Sequence, residues 1–210
     1  MVYQEIRSVR DGWRQMWDQC SSNTGWSYSH TSQQVKVWTK ADPSCGSSIR
    51  VVKGAGVVSS SISSIANVVW DYNKRSWFDP ACVRSELVEE LDGDTQVVRQ
   101  MFSAQRFCKT AGRELLICAH RKWLDPSVLV ITARSVAHTA HPPPPDSAEV
   151  VRAHVHLGGW VIKAIGQGRC LVYYLIHIDL KGAIPSYFIG EVNKKQPLII
   201  DNLRSLFTQT

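Results

Sequence analysis

The chain has 210 residues, 44% hydrophobic and 20% charged, with a formal net charge of +6, enough for one domain with a substantial core or an internal cavity. No run of four or more Lys/Arg occurs, so the clustered footprint of a nucleic-acid binder is missing, and the dispersed charge suits transient contact with an anionic membrane surface. Six cysteines form no CxxC pair, the stretch MVYQEIRSVRDGW has no apolar core like that of a signal peptide, and no apolar run is long enough to span a bilayer; free thiols in a cytoplasmic protein are expected.

In chain order, Ile6, Val9, Trp13, Met16 and Trp17 recur at helical spacing and predict an amphipathic helix over 3–20. Alternating runs at 26–30, 34–39 and 49–52 predict three strands of an antiparallel meander. Ile62, Ile65, Ala66 and Val69 predict a helix over 59–72 with serines available to cap it, followed by a short helix or turn over 77–83 opened by Asp79-Pro80. Six strands follow, at 86–91, 95–102, 114–123, 128–136, 150–157 and 170–179, with Asp92-Gly93-Asp94 turning tightly between the first two. The 103–112 segment is long for a hairpin and marks a binding loop, while 141–146 holds four consecutive prolines and makes a stiff connector. A closing helix over 186–207 has Pro185 at its first turn and Pro197 to interrupt it. This order is α+β: a strongly curved antiparallel sheet of about nine strands wrapped around a long C-terminal helix, a helix-grip with room for an internal hydrophobic tunnel.

Several stretches carry a family resemblance. "VLVITARSVAHTAHPPPPDSAEVVRAHVHLGGWVIKAI" and "CLVYYLIHIDLKGAIPSYF" are joined by "VVWDYNKRSWFDP" and by "GRELLICAHRKW", which is similar to an Arg-Asp/Glu-aromatic strand. Together they resemble the START domain, the lipid-transfer family related to the steroidogenic acute regulatory protein, over essentially all of residues 1–210 as a single domain. The resemblance implies a non-catalytic hydrophobic tunnel for one lipid, roofed by the C-terminal helix and a loop between strands.

Strand alternation sorts the residues that would form such a tunnel. Val98, Gln100 and Phe102 share one face; Leu115, Ile117, Ala119 and Arg121 share another, with Arg113 and Trp123. Ala153, Val155 and Leu157 alternate with Arg152, His154 and His156, and the last strand aligns Tyr174 with Ile176. Taken alone, these apolar residues fit a packed core as well as a cavity; the resemblance favours the cavity. Ile184, Phe188 and Val192 repeat every four residues and would close it from above. Relatives that bind sterol or phosphatidylcholine usually carry a buried Arg, and the sterol binders a partnering Glu on the neighbouring strand; counting along the strands places those positions at Ala119 and Gln100, so both charges are missing together. Arg121 is open to two readings, a bidentate phosphate receptor or a strand-end arginine in solvent.

His154, His156 and His177 have no further ligand at recognisable spacing, so no metal is expected, and no cofactor is implied. No G-x-S-x-G nucleophile occurs, so no catalytic residue is assigned. In the corner "IDLKGAIPSYF", Asp179 pins the chain by local hydrogen bonds and Gly182 allows a sharp change of direction. The expected function is a cytoplasmic, monomeric, transiently membrane-associated carrier of a phospholipid or sterol-like ligand, with no nucleic-acid partner. Two alternatives are a ligand-sensing or cyclase-like helix-grip protein and an interaction module whose cavity is filled.

Overall fold

The computed structural model describes residues 2–42, 50–104, 111–145, 149–182, 184 and 195–208. Their strands form one sheet: β1 Ser27–Ser32, β2 Val35–Ala41, β3 Arg50–Val58, β4 Cys82–Asp92, β5 Thr95–Phe102, β6 Gly112–Asp125, β7 Val128–Ser135, β8 Val150–Arg152, β9 His154–Ala164 and β10 Cys170–Asp179. The order across the sheet is β1-β2-β3-β10-β9-β7-β6-β5-β4, with β8 beside β6. The fold is an α+β helix-grip, a curved open sheet with a C-terminal helix.

The sheet separates two apolar layers, because alternate side chains on each strand leave by opposite faces. The inner layer joins Val98, Leu115, Ile131, Val155, Trp160 and Ile176 to helices α3 Ile62–Trp70 and α4 Arg75–Phe78 and to the C-terminal helix. The outer layer packs Met16 and Cys20 against Val130, Leu157, Val161 and Leu175, and Ile6 and Val9 against Val97, Leu116 and Cys118. These N-terminal residues lie on two helices rather than the single one expected. α1 Val2–Asp11 and α2 Trp13–Ser21 meet at Gly12, the residue type that, after proline, least favours helix. Ser61 caps α3, its Oγ accepting from the Ser64 amide at 3.1 Å.

Three other expectations needed revision. The strand expected over 150–157 is divided: β8 pairs parallel with β6, whereas β9 continues to Ala164 between β7 and β10, which makes ten strands instead of nine. β3 runs on to Val58 through Gly54 and Gly56, where glycine marks a close approach. A Cβ at Gly54 would stand 2.3 Å from Pro197 Cβ, and one at Gly56 would stand 3.0 Å from Ile200 Cγ2. The short helix expected over 77–83 ends at Phe78, and Cys82 already opens β4. The described part of the closing helix is a 3-10 turn at Gln196–Leu198, with Pro197 inside it, and α5 Ile199–Ser205. Arg204 secures α5, donating to Val57 O at 2.8 Å and Gln33 O at 2.9 Å.

Candidate functional site

Between the inner face of the sheet and the α3–α4 segment lie two adjoining voids, a larger and a smaller lobe, that share Arg75, Leu115, Tyr174 and Ile176 in their walls. The larger offers about 80 Å³ that water could enter and the smaller about 30 Å³. At roughly 10–15 Å³ per water, the described walls enclose room for several waters, and a lipid-sized ligand requires them to move. Val98, Gln100, Leu115, Ile117, Ala119, Val155, Tyr174 and Ile176 line the larger lobe; Phe102 joins Leu115, Tyr174 and Ile176 in the smaller. Nine of the residues singled out on the strands thus meet around these two voids, and Arg113 borders the smaller one.

The others lie elsewhere. Ala153 is buried in the inner layer away from the void. Leu157, expected inside, packs in the outer layer with Met16. The register explains it: Ile178 faces Val155 but His177 faces Leu157, so His156 is an extra residue in β9. A bulge of this kind shifts the alternation by one, and Gly158 takes the inward position that simple counting gave to Leu157. Arg121 lies within β6, opposite the β4–β5 turn, paired to Asp94 at 2.7 Å, donating to Gly93 O, with its guanidinium 4.7 Å from the Trp70 ring. Ile184 packs against the inner layer. Phe188 and Val192 lie outside the described residues.

The polar group that sequence reasoning missed is Arg75. It borders both lobes and pairs with Asp79 at 2.8 Å, the two side chains retaining 13% and 4% exposure. Desolvation alone would lower its pKa, but the Asp79 carboxylate and then the Tyr174 phenol raise it overall. Among the described residues its Nε has no hydrogen-bond partner. The i, i+4 spacing of Arg75 and Asp79 was visible in the sequence, but a single short turn of helix does not reveal which side faces inward. So Ala119 and Gln100 do line the cavity without the charges of the familiar pair, and a different ion pair enters from the opposite wall. Gln96 is satisfied by donating to Trp70 O at 3.0 Å. Also missed were Gly159 and Ile131 in the wall: Gly159 has φ +141, and a Cβ there would stand 1.9 Å from Ile131 O. Only glycine allows that approach.

The His156 ring lies 4.7 Å from that of His154, edge-on, and 4.6 Å from that of His177, tilted, where β9 begins and β10 ends. Among the described residues no group of three or more His, Cys, Asp or Glu has the arrangement to hold a metal ion.

The family model of the START domain matches residues 14–198. This chain belongs to the START domain family. Acetyl-coenzyme A thioesterase of Mus musculus is 24% identical over 172 residues, covering 82% of this chain and 29% of the relative. START domain-containing protein 10 of Mus musculus is 22% identical over 189 residues, covering 90% and 60%. The chain therefore spans under a third of the first relative and three fifths of the second. Among solved structures, human StAR-related lipid transfer protein 5 superposes with a TM-score of 0.82 at 17% identity, covering 100% of this chain and 99% of that one. That likeness places the START fold on the whole described chain. No described helix is long and apolar enough to cross a membrane.

Proposed function

We propose that this START domain binds one amphiphilic lipid, phospholipid or sterol-like, in the two-lobed cavity and carries it between membranes without chemical change. The observation that supports this most directly is an apolar void whose wall holds an ion-paired arginine with an Nε that has no partner among the described residues. Binding sites of this kind are mostly apolar with a few placed polar groups. The apolar walls would take the hydrocarbon, whose burial contributes roughly 25 cal/mol per Å², and Arg75 would take the polar end. The protein would act as a monomer in the cytoplasm, touching anionic membranes transiently with the help of its +6 charge.

A hydrolytic reading is less well supplied. Of the carboxylates near the cavity, Asp79 is engaged by Arg75, and Asp71 caps a 3-10 turn by accepting from the Asn73 amide at 3.0 Å. Desolvation would raise Asp71, but its hydrogen bonds to Lys74 and Asn73 hold it below the usual carboxylate range. A carboxylate held ionised is a poor general acid.

The test incubates the purified chain with mixed-lipid vesicles, re-isolates it and weighs it by native mass spectrometry, alongside vesicle-to-vesicle transfer and an acetyl-coenzyme A hydrolysis assay. Stoichiometric lipid, measurable transfer and no thioester cleavage are expected. An empty protein that transfers nothing refutes the carrier.

A further inference from the structure

The chain leaves the sheet at two neighbouring places: before β6, at Ala111–Gly112, and after β10, at Leu180–Gly182. A single side chain, Arg113, holds both. It is 1% exposed. Its Nη1 donates to Ala111 O at 2.6 Å and to Gly112 O at 3.3 Å, its Nε to Leu180 O at 2.8 Å, and its Nη2 to Lys181 O at 3.1 Å. Strand pairing cannot satisfy the Leu180 and Lys181 carbonyls, because the last β10–β9 pair is Asp179 with His154. The planar fork of a guanidinium reaches carbonyls in different directions at once, which an ammonium on a flexible stem does not.

The corner is shaped to meet this fork. Lys181 and Gly182 turn at φ +51 and +67, and the Lys181 amide donates to Asp179 Oδ1 at 2.9 Å. A Cβ on Gly182 would stand 3.3 Å from Val151 Cγ2 and 3.4 Å from Arg113 Nη2, so the turn lies directly against the guanidinium. Burial lowers the pKa of Arg113, which an arginine tolerates without losing its charge. Arg113, Phe102 and Leu180 all border the smaller lobe.

We infer that Arg113 is a positioning residue that fastens the corner at 180–182, whose Leu180 borders the smaller lobe, to the start of β6 at 111–112, so that the two segments open as one unit. Separating the corner from the β6 start, whichever of them swings, would strip a buried cation of its Leu180 and Lys181 acceptors, because Ala111 and Gly112 travel with Arg113 on one strand; buried charged groups resist such loss strongly. The inference rests on the proposed carrier function only in taking the smaller lobe as part of the ligand's space.

Hydrogen exchange with mass spectrometry on the wild-type chain, in graded low denaturant and without lipid, decides it. Peptides over 110–116 and 178–184 should open with one common free energy and one denaturant dependence. In Arg113→Gln the two should separate, with the corner exchanging at least ~10-fold faster, the effect expected when charge-assisted bonds are lost. Arg113→Lys, which keeps the charge without the fork, should separate them partially, and it decides the matter if the glutamine variant fails to fold. Independent opening in the wild type, or common opening in Arg113→Lys with wild-type rates, overturns the proposal. Because no lipid takes part, a protein that transfers no lipid yet shows common opening sinks the carrier reading and leaves this one standing.

Discussion

Two buried cations sit on opposite sides of the same sheet, and they differ in how completely they are satisfied. Lys53, on β3 beneath the end of α2, donates to Gln19 O, Ser22 O and Asn23 Oδ1 at 2.8–3.1 Å, and its Nζ lies 4.4 Å from the Trp26 ring and 5.4 Å from the Trp38 ring. Its three donors are used, so it acts as a C-cap for α2 and ties the outer layer to the sheet. Burial nevertheless pulls its pKa down to about 8. Arg75 has the carboxylate that Lys53 lacks among its hydrogen-bond partners, yet its Nε has no partner among the described residues and its side chain borders the cavity. A cation with every donor engaged has a structural job; one whose side chain lines a cavity with a donor unsatisfied calls for a different explanation.

The sharpest way to break that contrast is to remove each cation. Arg75→Met alone deprives a carboxylate that is 4% exposed of its ion-pair partner, and should destabilise the fold by about 3–5 kcal/mol, read as a fall in the denaturation midpoint. Adding Asp79→Asn should restore most of that stability while lipid retention in native mass spectra stays lost. If the double variant holds lipid like the wild type, Arg75 is structural and the contrast fails.

Lys53→Met should show the reverse pattern. It strands helix-end carbonyls under α2 and should cost about 1–3 kcal/mol, with lipid occupancy unchanged. Loss of lipid in a folded Lys53→Met protein would show that the two faces are coupled.

Smaller effects come from pH. With a folded pKa of about 8 against 10.5 unfolded, Lys53 is protonated in both states below pH 8, and its contribution there is constant. Above pH 8 the folded state sheds the proton first and the unfolded chain holds more, so stability rises with pH. Cys20 and Cys118, pushed up to about 12 by burial, oppose this once unfolded thiols ionise near 9. Between pH 8 and 9 the denaturation midpoint should therefore fall in Lys53→Met, where only the thiols act, and fall less or rise in the wild type.

Acid probes the histidine ladder. Burial pulls His154, His156 and His177 below 6.5; close imidazoles add to this at each, and Arg134 adds to it at His177. Asp42 opposes the shift at His156 and His177, and Asp179 opposes it at His154 and His156. As pH falls through 6.5 the unfolded chain takes up protons that the folded one refuses, so stability drops toward acid. His177→Phe should make that decline shallower in midpoints measured from pH 7 to pH 5; an unchanged slope would assign the acid sensitivity to other groups.

Local patterns carried the strands well: the period-2 runs at 95–102 and 170–179 match β5 and β10 residue for residue. They failed where a distant segment overrode local preference. Gly54 and Gly56 weaken β3 when read alone, and only Pro197 and Ile200 lying across them explain why glycine is needed. Leu157 was misplaced because one extra residue, His156, inverts the alternation, and a bulge has no signature in the strand's own composition.

From the sequence alone came the element types, through short-range periodicity and which side chains avoid water, and, once the family resemblance favoured a cavity over a packed core, nine of the wall residues. Tertiary structure decided which charge enters the cavity. Whether an arginine faces a void or the solvent depends on how a single helical turn docks on a sheet built from residues twenty to a hundred positions further along the chain. It also gave the corner at 178–184 its anchor. Asp179 and Gly182 shape that turn locally, but Arg113, which holds it, comes from a strand that only folding brings alongside.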